Sequence, residues 1–562
     1  MGRLPSLIGP HFSESLTKTV LVLLKYNPNG LVVHGLLYYI SWHSWPSMHS
    51  KSLLTLSASI FVSTTHASYC FYVGKNLTVD GSVMVAGTGE EVSGHWLQLF
   101  PATSHPPNAT ITVGVTEDAA LPGKRIQIPQ VKNTSRYLSM EYSDFEGFPA
   151  PLTNGGLNEH GVAVRDVWAQ NREELVAMTP DPQTGVNYGD LARIVMERAH
   201  NAREGVEIIG ALINEYGEAT YGGNTHLIAD KDEGWVVWEF AGGKKLWAAE
   251  RLGENDIRVL YPGYIEDFPV NFANSTEYMG APHLVEFAIE QGWWDPNGDK
   301  PFNIWEVYGD TSGNATARNG GYKYMSQAQL EDAARAMVPI TEAKLMERHR
   351  DIRIADDQSG YGTVTTLRDG TDADMRRIWI APTGASAAPF VPWWIGVQSI
   401  PPEAGLHRYL YDQASSNFLN TDYQYQEASE FVFRIFKRVM YYMCSNPKSY
   451  HPVVTDMLVG FENQSFAEIE SWVERGAQVL IDNDERESAQ ELLTYYSHSR
   501  LSKAIDIGKT IANALDSHIK LTGAWKDPRG NLINDGGSGN ATVTCLVGLN
   551  PDKPAWKQNT TA

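Results

Sequence analysis

Short apolar runs broken by turn residues begin the regular part of the chain, and they predict strands. Cys70-Phe71-Tyr72-Val73 and Val83-Met84-Val85-Ala86 flank a loop that ends in Asp80-Gly81-Ser82, so the two runs are expected to pair as buried strands. Val162-Ala163-Val164, after the turn-like Asn158-Glu159-His160-Gly161, gives another strand. The period then changes. Leu191, Ile194, Val195 and Arg198 fall on helical spacing after Asn187, and Val206, Ile209 and Ile213 do so again before Gly217, which predicts two consecutive helices. Apolar residues 226–229 and 235–240 flank the charged turn 230–234 as a hairpin, and 363–367 and 377–380 add strands. Residues 427–443, 465–475 and 485–519 read as helices, with Ser465 and Glu468 spaced as a capping box. Strands, then helices, then strands again imply a layered α+β domain with a largely antiparallel sheet. No Gly/Ser/Pro linker sets the helical tail apart, so it is expected to pack on the core.

The apolar runs near residues 20–24 and 31–40 are too short to span a bilayer, and Lys25, Pro28 and Gly30 interrupt them. A better pattern starts at Met48. His49 and Lys51 form a polar head, 53–62 is apolar, and the small residues Ala67 and Ser68 follow, in the outline of a secretory signal peptide. On this reading residues 1–47 are an extension of the gene model and 48–69 a signal peptide or propeptide. Eight Asn-x-Ser/Thr sequons, at Asn76, Asn108, Asn133, Asn274, Asn314, Asn463, Asn540 and Asn559, agree with a secreted or secretory-lumen glycoprotein.

Composition narrows the classes. Hydrophobic residues are 42% of 562 and charged residues 20%, without repeats, as in a globular protein. The formal charge of −21 argues against a nucleic-acid partner, which would need a concentrated basic surface. His95, His160 and His226 lack metal-site spacing, and Gly87-Thr88-Gly89 lacks the lysine of a phosphate loop, so neither metal nor cofactor is expected. Glu90-Glu91 are adjacent, and adjacent strand residues point to opposite faces, so they do not form a glycosidase pair. Three cysteines are present, of which Cys444 and Cys545 suit either one disulfide or two buried thiols.

Cys70 follows a removable segment and leads directly into a strand. Once that segment is gone the residue carries a thiol and a free α-amine, whose pKa of about 8 fits it to take the thiol proton. An isolated cysteine is more often a buried structural residue, and the surrounding sequence decides against that. Cys70-Phe71-Tyr72-Val73-Gly74-Lys75, Asp80-Gly81-Ser82 and Val85-Ala86 resemble the opening of the dipeptidase A and secernin-like family of N-terminal-nucleophile cysteine hydrolases. The likeness continues in order through 156–162, Gly223-Asn224-Thr225-His226, Ile228-Ala229-Asp230, Trp235-Val236, Thr363-Val364, Leu367-Arg368 and Phe390-Val391-Pro392-Trp393.

The resemblance implies a four-layered αββα sandwich over residues 70–400, with 401–562 a helical part of the same catalytic unit. It implies a cysteine-type dipeptidase that cleaves short peptides through a thioester on Cys70. An acylase acting on non-peptide amides and a non-catalytic secernin-like interaction protein are the alternatives. Side-chain amides stabilise the oxyanion in this superfamily, which makes Asn224 and Asn158 candidates, the latter equally a turn residue. Where many members have Ala-Arg-Asn, this chain has Ala86-Gly87-Thr88, so the family's arginine is missing at Gly87. Arg165 is the candidate to supply that charge, an ordinary salt bridge being the other reading. Glu90 or Glu91 would hold the substrate's α-ammonium, and Trp393-Trp394 with the helical tail would wall a small cleft.

Overall fold

The structure is a computed structural model that describes residues 24–27, 30–33, 68–89, 95–142, 147–150, 152–261, 263–311, 327–351, 354–355, 359–406 and 430–522. Residues 1–65 form a unit of their own, in which Leu24–Asn27 pairs antiparallel with Gly30–Val33. Residues 66–562 form the second unit.

Two large antiparallel sheets form the centre of that second unit. The larger has eight strands in the order Tyr278–Gly280, Trp247–Leu252, Gly234–Glu239, Asn224–Ala229, Ala163–Trp168, Leu152–Asn158, Tyr137–Tyr142 and His95–Phe100. The smaller has six, in the order Ile257–Leu260, Cys70–Val73, Val83–Gly89, Tyr361–Leu367, Arg377–Pro382 and Val391–Trp394. Every residue of Cys70–Val73 and Val83–Gly89 is buried, which is why both strands read as continuous apolar runs rather than as alternation. Asp80 is the turn residue before the second of them. Its carboxylate accepts from the Ser82 N–H (3.2 Å) and hydroxyl (2.6 Å), Gly81 takes φ +72°, and Arg368 pairs with the outer oxygen.

Helix Tyr188–Arg198, capped by Asn187, packs on strands Leu152–Asn158 and Ala163–Trp168, and Ala202–Tyr216, capped by Asn201, packs on the next two. On the smaller sheet, Glu342–His349 packs against Val83–Gly89 and Tyr361–Leu367, Val432–Met443 against Arg377–Pro382, and Arg486–Thr522 against Val391–Trp394. The two sheets meet through side chains such as Tyr72, whose ring lies where a Cβ on Gly234 would be, 2.5 Å away.

Two expectations change. Ser465 does not begin a helix: it sits buried inside Pro447–Glu468, and its hydroxyl donates back to the Phe461 carbonyl at 3.0 Å. The capping-box spacing there is coincidental, because Pro447 starts the helix eighteen residues earlier. Trp393 and Trp394, expected to wall a cleft, are instead buried at 2% and 0% exposure in the edge strand beneath the last helix. Among the described residues no helix is long and apolar enough to cross a membrane.

Candidate active site

Cys70 lies in an interior strand, opposite Gly87 on one side and Leu260 on the other, with 0% exposure. The chain before it continues the ladder. The Tyr69 N–H donates to Thr88 Oγ1 (3.0 Å) and the Tyr69 carbonyl accepts from the Thr88 N–H (2.9 Å). The Tyr69 ring stacks on Tyr261 with centroids 3.7 Å apart and planes 11° from parallel. The Cys70 nitrogen is therefore a peptide nitrogen in this state. Burial pushes the thiol up to about 12; Asp166 acts in the same direction and Arg165 opposes it. Burial thus favours the protonated thiol over the thiolate in the uncut chain.

Arg165 comes from the facing sheet, opposite Gly155. Its Nη2 donates to the Thr88 carbonyl (2.7 Å) and its Nη1 to the Tyr361 hydroxyl (2.9 Å), which donates in turn to Asn154 Oδ1 (2.7 Å). The guanidinium also lies 5.1 Å from the Tyr361 ring centroid. Its Nε is buried without a hydrogen-bond partner. A Cβ at residue 87 would sit 2.5 Å from that Nε and 2.9 Å from the Tyr69 carbonyl oxygen, so the absence of a side chain at Gly87 is what admits the arginine.

The two asparagines are occupied differently. Asn158 donates through Nδ2 to the carbonyls of Met196 (3.1 Å) and Ala199 (2.8 Å), and its Oδ1 accepts from the N–H groups of His160 (3.0 Å) and Val162 (2.9 Å). That binds a turn to the end of a helix and leaves no amide hydrogen over. It also stands three residues along the strand from Gly155, roughly 10 Å. Asn224, oriented as its neighbours require, donates to the Val167 carbonyl (3.3 Å) and the Tyr221 hydroxyl (2.9 Å) and accepts from the Thr225 N–H (3.2 Å). Glu90 and Glu91 lie outside the described residues.

A second buried polar group lies on the same strands. His226 Nε2 is 3.1 Å from the Tyr188 carbonyl and Nδ1 is 2.8 Å from Glu239 Oε1. A carbonyl only accepts, so Nε2 carries a proton, and Nδ1 shares one with Glu239. Burial raises the Glu239 carboxyl well above its usual range and lowers His226.

Tyr361, Asn154 and Thr88 were not singled out from the sequence. The only sequence signal for them is the glycine beside each, in Gly360-Tyr361-Gly362, Asn154-Gly155-Gly156 and Gly87-Thr88-Gly89. Cys444 is disulfide-bonded and Cys70 is free, while Cys545 lies outside the described residues. An open cavity of about 500 Å³ lined by Leu97, Arg136, Ile400 and Leu406 includes none of the residues described around Cys70.

A probable dipeptidase B of Lactococcus lactis subsp. lactis (strain IL1403) is 26% identical over 297 residues, 50% of this chain and 57% of that protein. A probable dipeptidase of Salmonella dublin is 25% identical over 194 residues, 34% of this chain and 43% of that one. The chain thus spans about half the length of these relatives. A crystal structure of a mutant conjugated bile acid hydrolase from Clostridium perfringens aligns at 11% identity and a TM-score of 0.29, covering 56% of this chain and 89% of that one. The model of peptidase family C69 matches residues 67–349, half of the 562, and its match begins three residues before the free, buried cysteine. The chain belongs to peptidase family C69.

Proposed function

We propose that the chain is a secreted cysteine-type dipeptidase of the N-terminal-nucleophile kind, activated when the bond before Cys70 is cut. The observation that carries this is the setting of Cys70: a free cysteine at the head of a strand, at the start of the family match, with the Arg165 guanidinium beside it. In the processed chain the Cys70 α-amine takes the thiol proton, and Sγ attacks the substrate's peptide carbonyl. The amine returns that proton to the leaving nitrogen, the C–N bond breaks, and an aminoacyl thioester remains. Water then adds to the thioester, giving its proton to the amine, and the C–S bond breaks to release the amino acid and restore the thiol.

The Thr88 N–H and Arg165 Nε are fixed donors beside the nucleophile, and Asn224 joins them as an oxyanion ligand if its bond to Tyr221 is exchanged for one to substrate. Arg165 also serves as the positive element of substrate binding, with Glu90 or Glu91 holding the α-ammonium. Two sheets with helices on each support the four-layered αββα arrangement. Secretion is supported by the disulfide at Cys444, since disulfides persist in oxidising compartments. The sequon residues Asn76, Asn108, Asn133, Asn274 and Asn463 are all exposed, as glycosylation requires.

The test compares a dipeptide with its N-acetylated form, on wild type and on Cys70→Ala. We expect hydrolysis of the free dipeptide only, and its loss by many orders of magnitude in the variant, since enzymes accelerate such reactions roughly a million-fold or more. Faster cleavage of the acetylated compound would replace the dipeptidase reading with an acylase. Retained activity in the variant would remove Cys70 as nucleophile.

A further inference from the structure

We infer that the slot filled by Tyr69 in the uncut chain becomes, after cleavage, the acyl-side subsite of the enzyme, and that it selects substrates whose N-terminal residue is aromatic. This rests on the proposed function and adds a substrate class to it. Every part of Tyr69 is held. Its ring lies flat on Tyr261, its N–H is received by Thr88 Oγ1, its carbonyl takes the Thr88 N–H, and its exposure is 0%. Beside the carbonyl stands Arg165 Nε, which has no hydrogen-bond partner, and both crowd the same point above Gly87, at 2.5 Å for the nitrogen and 2.9 Å for the carbonyl oxygen.

Cleavage removes one partner from each of these groups at once. The Thr88 N–H loses its acceptor, Thr88 Oγ1 loses its donor and the Tyr261 face loses its cover, all in a site shut off from solvent, where unpaired polar groups are costly. A ligand that restores all three needs a carbonyl oxygen, an N–H donor next to it and a flat ring one side chain away. The N-terminal residue of an aromatic dipeptide has them in that order, its α-ammonium standing in for the Tyr69 N–H.

The chemistry of activation leads to the same place. Sγ attacks the Tyr69 carbonyl carbon, the Tyr69–Cys70 C–N bond breaks, and the nitrogen takes the thiol proton, giving a free amine and a Tyr69 thioester. Water adds to that thioester and the C–S bond breaks, leaving the Tyr69 carboxylic acid and the thiol. Tyr69 is thus the first acyl group that Cys70 carries, and the slot around it is built for an acyl group.

The experiment uses the full chain as recovered after processing. Cys70 alkylation by iodoacetamide is timed with and without acetyl-Ser-Tyr, which copies the end of the released segment, or acetyl-Ser-Ala. Hydrolysis of Tyr-Gly and Phe-Gly is compared with that of Ala-Gly and Val-Gly. We expect protection by the tyrosine peptide alone, and aromatic dipeptides ahead by roughly tenfold in kcat/KM, as befits one buried ring stack. Tyr261→Leu should bring that ratio close to one. Equal protection by both peptides, an aromatic ratio unchanged in Tyr261→Leu, or an enzyme that never cleaves before Cys70 would overturn the inference. Protection by acetyl-Ser-Tyr without cleavage of any dipeptide would uphold the subsite and remove the dipeptidase reading instead.

Discussion

Arg165 and Gly87 are one feature seen from two sheets. The guanidinium occupies the volume that any side chain at 87 would take, and its charge opposes the burial that keeps the Cys70 thiol protonated. Gly87→Ala should therefore push Arg165 out of place. We expect a loss of stability of about 1–3 kcal/mol from overpacking, and a fall in kcat/KM of the processed enzyme of at least about tenfold, corresponding to roughly 1.4 kcal/mol of lost transition-state stabilisation. Unchanged steady-state kinetics in a folded Gly87→Ala protein would show that the arginine's position does not matter. Glu141 offers a pH test. Burial raises its carboxyl to about 7, while the Ser139 hydroxyl and Arg193 pull it down. The folded state thus holds a proton that the unfolded state gives up near pH 4.5, so this residue's contribution is full below about 4.5 and is lost as pH rises through about 7. Glu141→Gln keeps an acceptor for Ser139 and cannot ionise. Denaturant melts should find it more stable than wild type at about pH 8 and close to wild type at about pH 4, and the reverse order would refute the assignment. Cys70 and Arg165 could be picked out as candidates at this scale because motifs and a departure from them marked both. Tyr361 and Asn154 could not, because Arg165 meets Tyr361 across 196 residues of chain and Tyr361 meets Asn154 across 207, between two sheets, and no local spacing records such pairings.

Elements were easier to foresee where local chemistry forces them. The Asp80-Gly81-Ser82 turn, the Asn187 cap and the apolar runs of the nucleophile strand each follow from the residues themselves and recur in the structure. Ser465 shows the limit. A serine three residues before a glutamate looks the same at a helix start and in a helix interior, and the start lies instead at Pro447, whose missing N–H suits the first turn. Asn158 shows another. Its amide was weighed as an oxyanion donor and as a turn residue, and the structure uses all of it to bind the turn 158–162 to the end of helix Tyr188–Arg198. Asn158→Ala should cost about 2–4 kcal/mol, the usual penalty for leaving several buried groups unpaired. The kcat of the molecules that stay folded should change by less than about threefold, against the roughly hundredfold or greater loss expected from removing an oxyanion donor. Thermal melts and active-site-titrated kinetics separate the two, and a hundredfold drop in kcat with an unchanged melt would return Asn158 to the catalytic machinery.

At the scale of the whole molecule, the two sheets do one job together. The smaller supplies Cys70, Gly87 and Thr88, the larger supplies Arg165 and Asn154, and Tyr361 ties the sets across the interface. The composition and net charge foresaw none of this, because they report on partners and solubility rather than on which strands face each other. On the proposed function, the same architecture keeps the uncut chain inactive: Tyr69 is wholly buried, the Cys70 nitrogen is acylated by the chain itself, and the thiol is pushed up to about 12. On that proposal, activity begins with removal of everything before Cys70. The most direct test is to inactivate the purified, active enzyme with limiting iodoacetamide and map its N-terminal peptide by mass spectrometry. The account predicts that activity falls in proportion to a single alkylation, carried by a peptide that begins at Cys70. Full activity with that thiol blocked, or an active enzyme whose first residue is Ser68 or Tyr69, would contradict it.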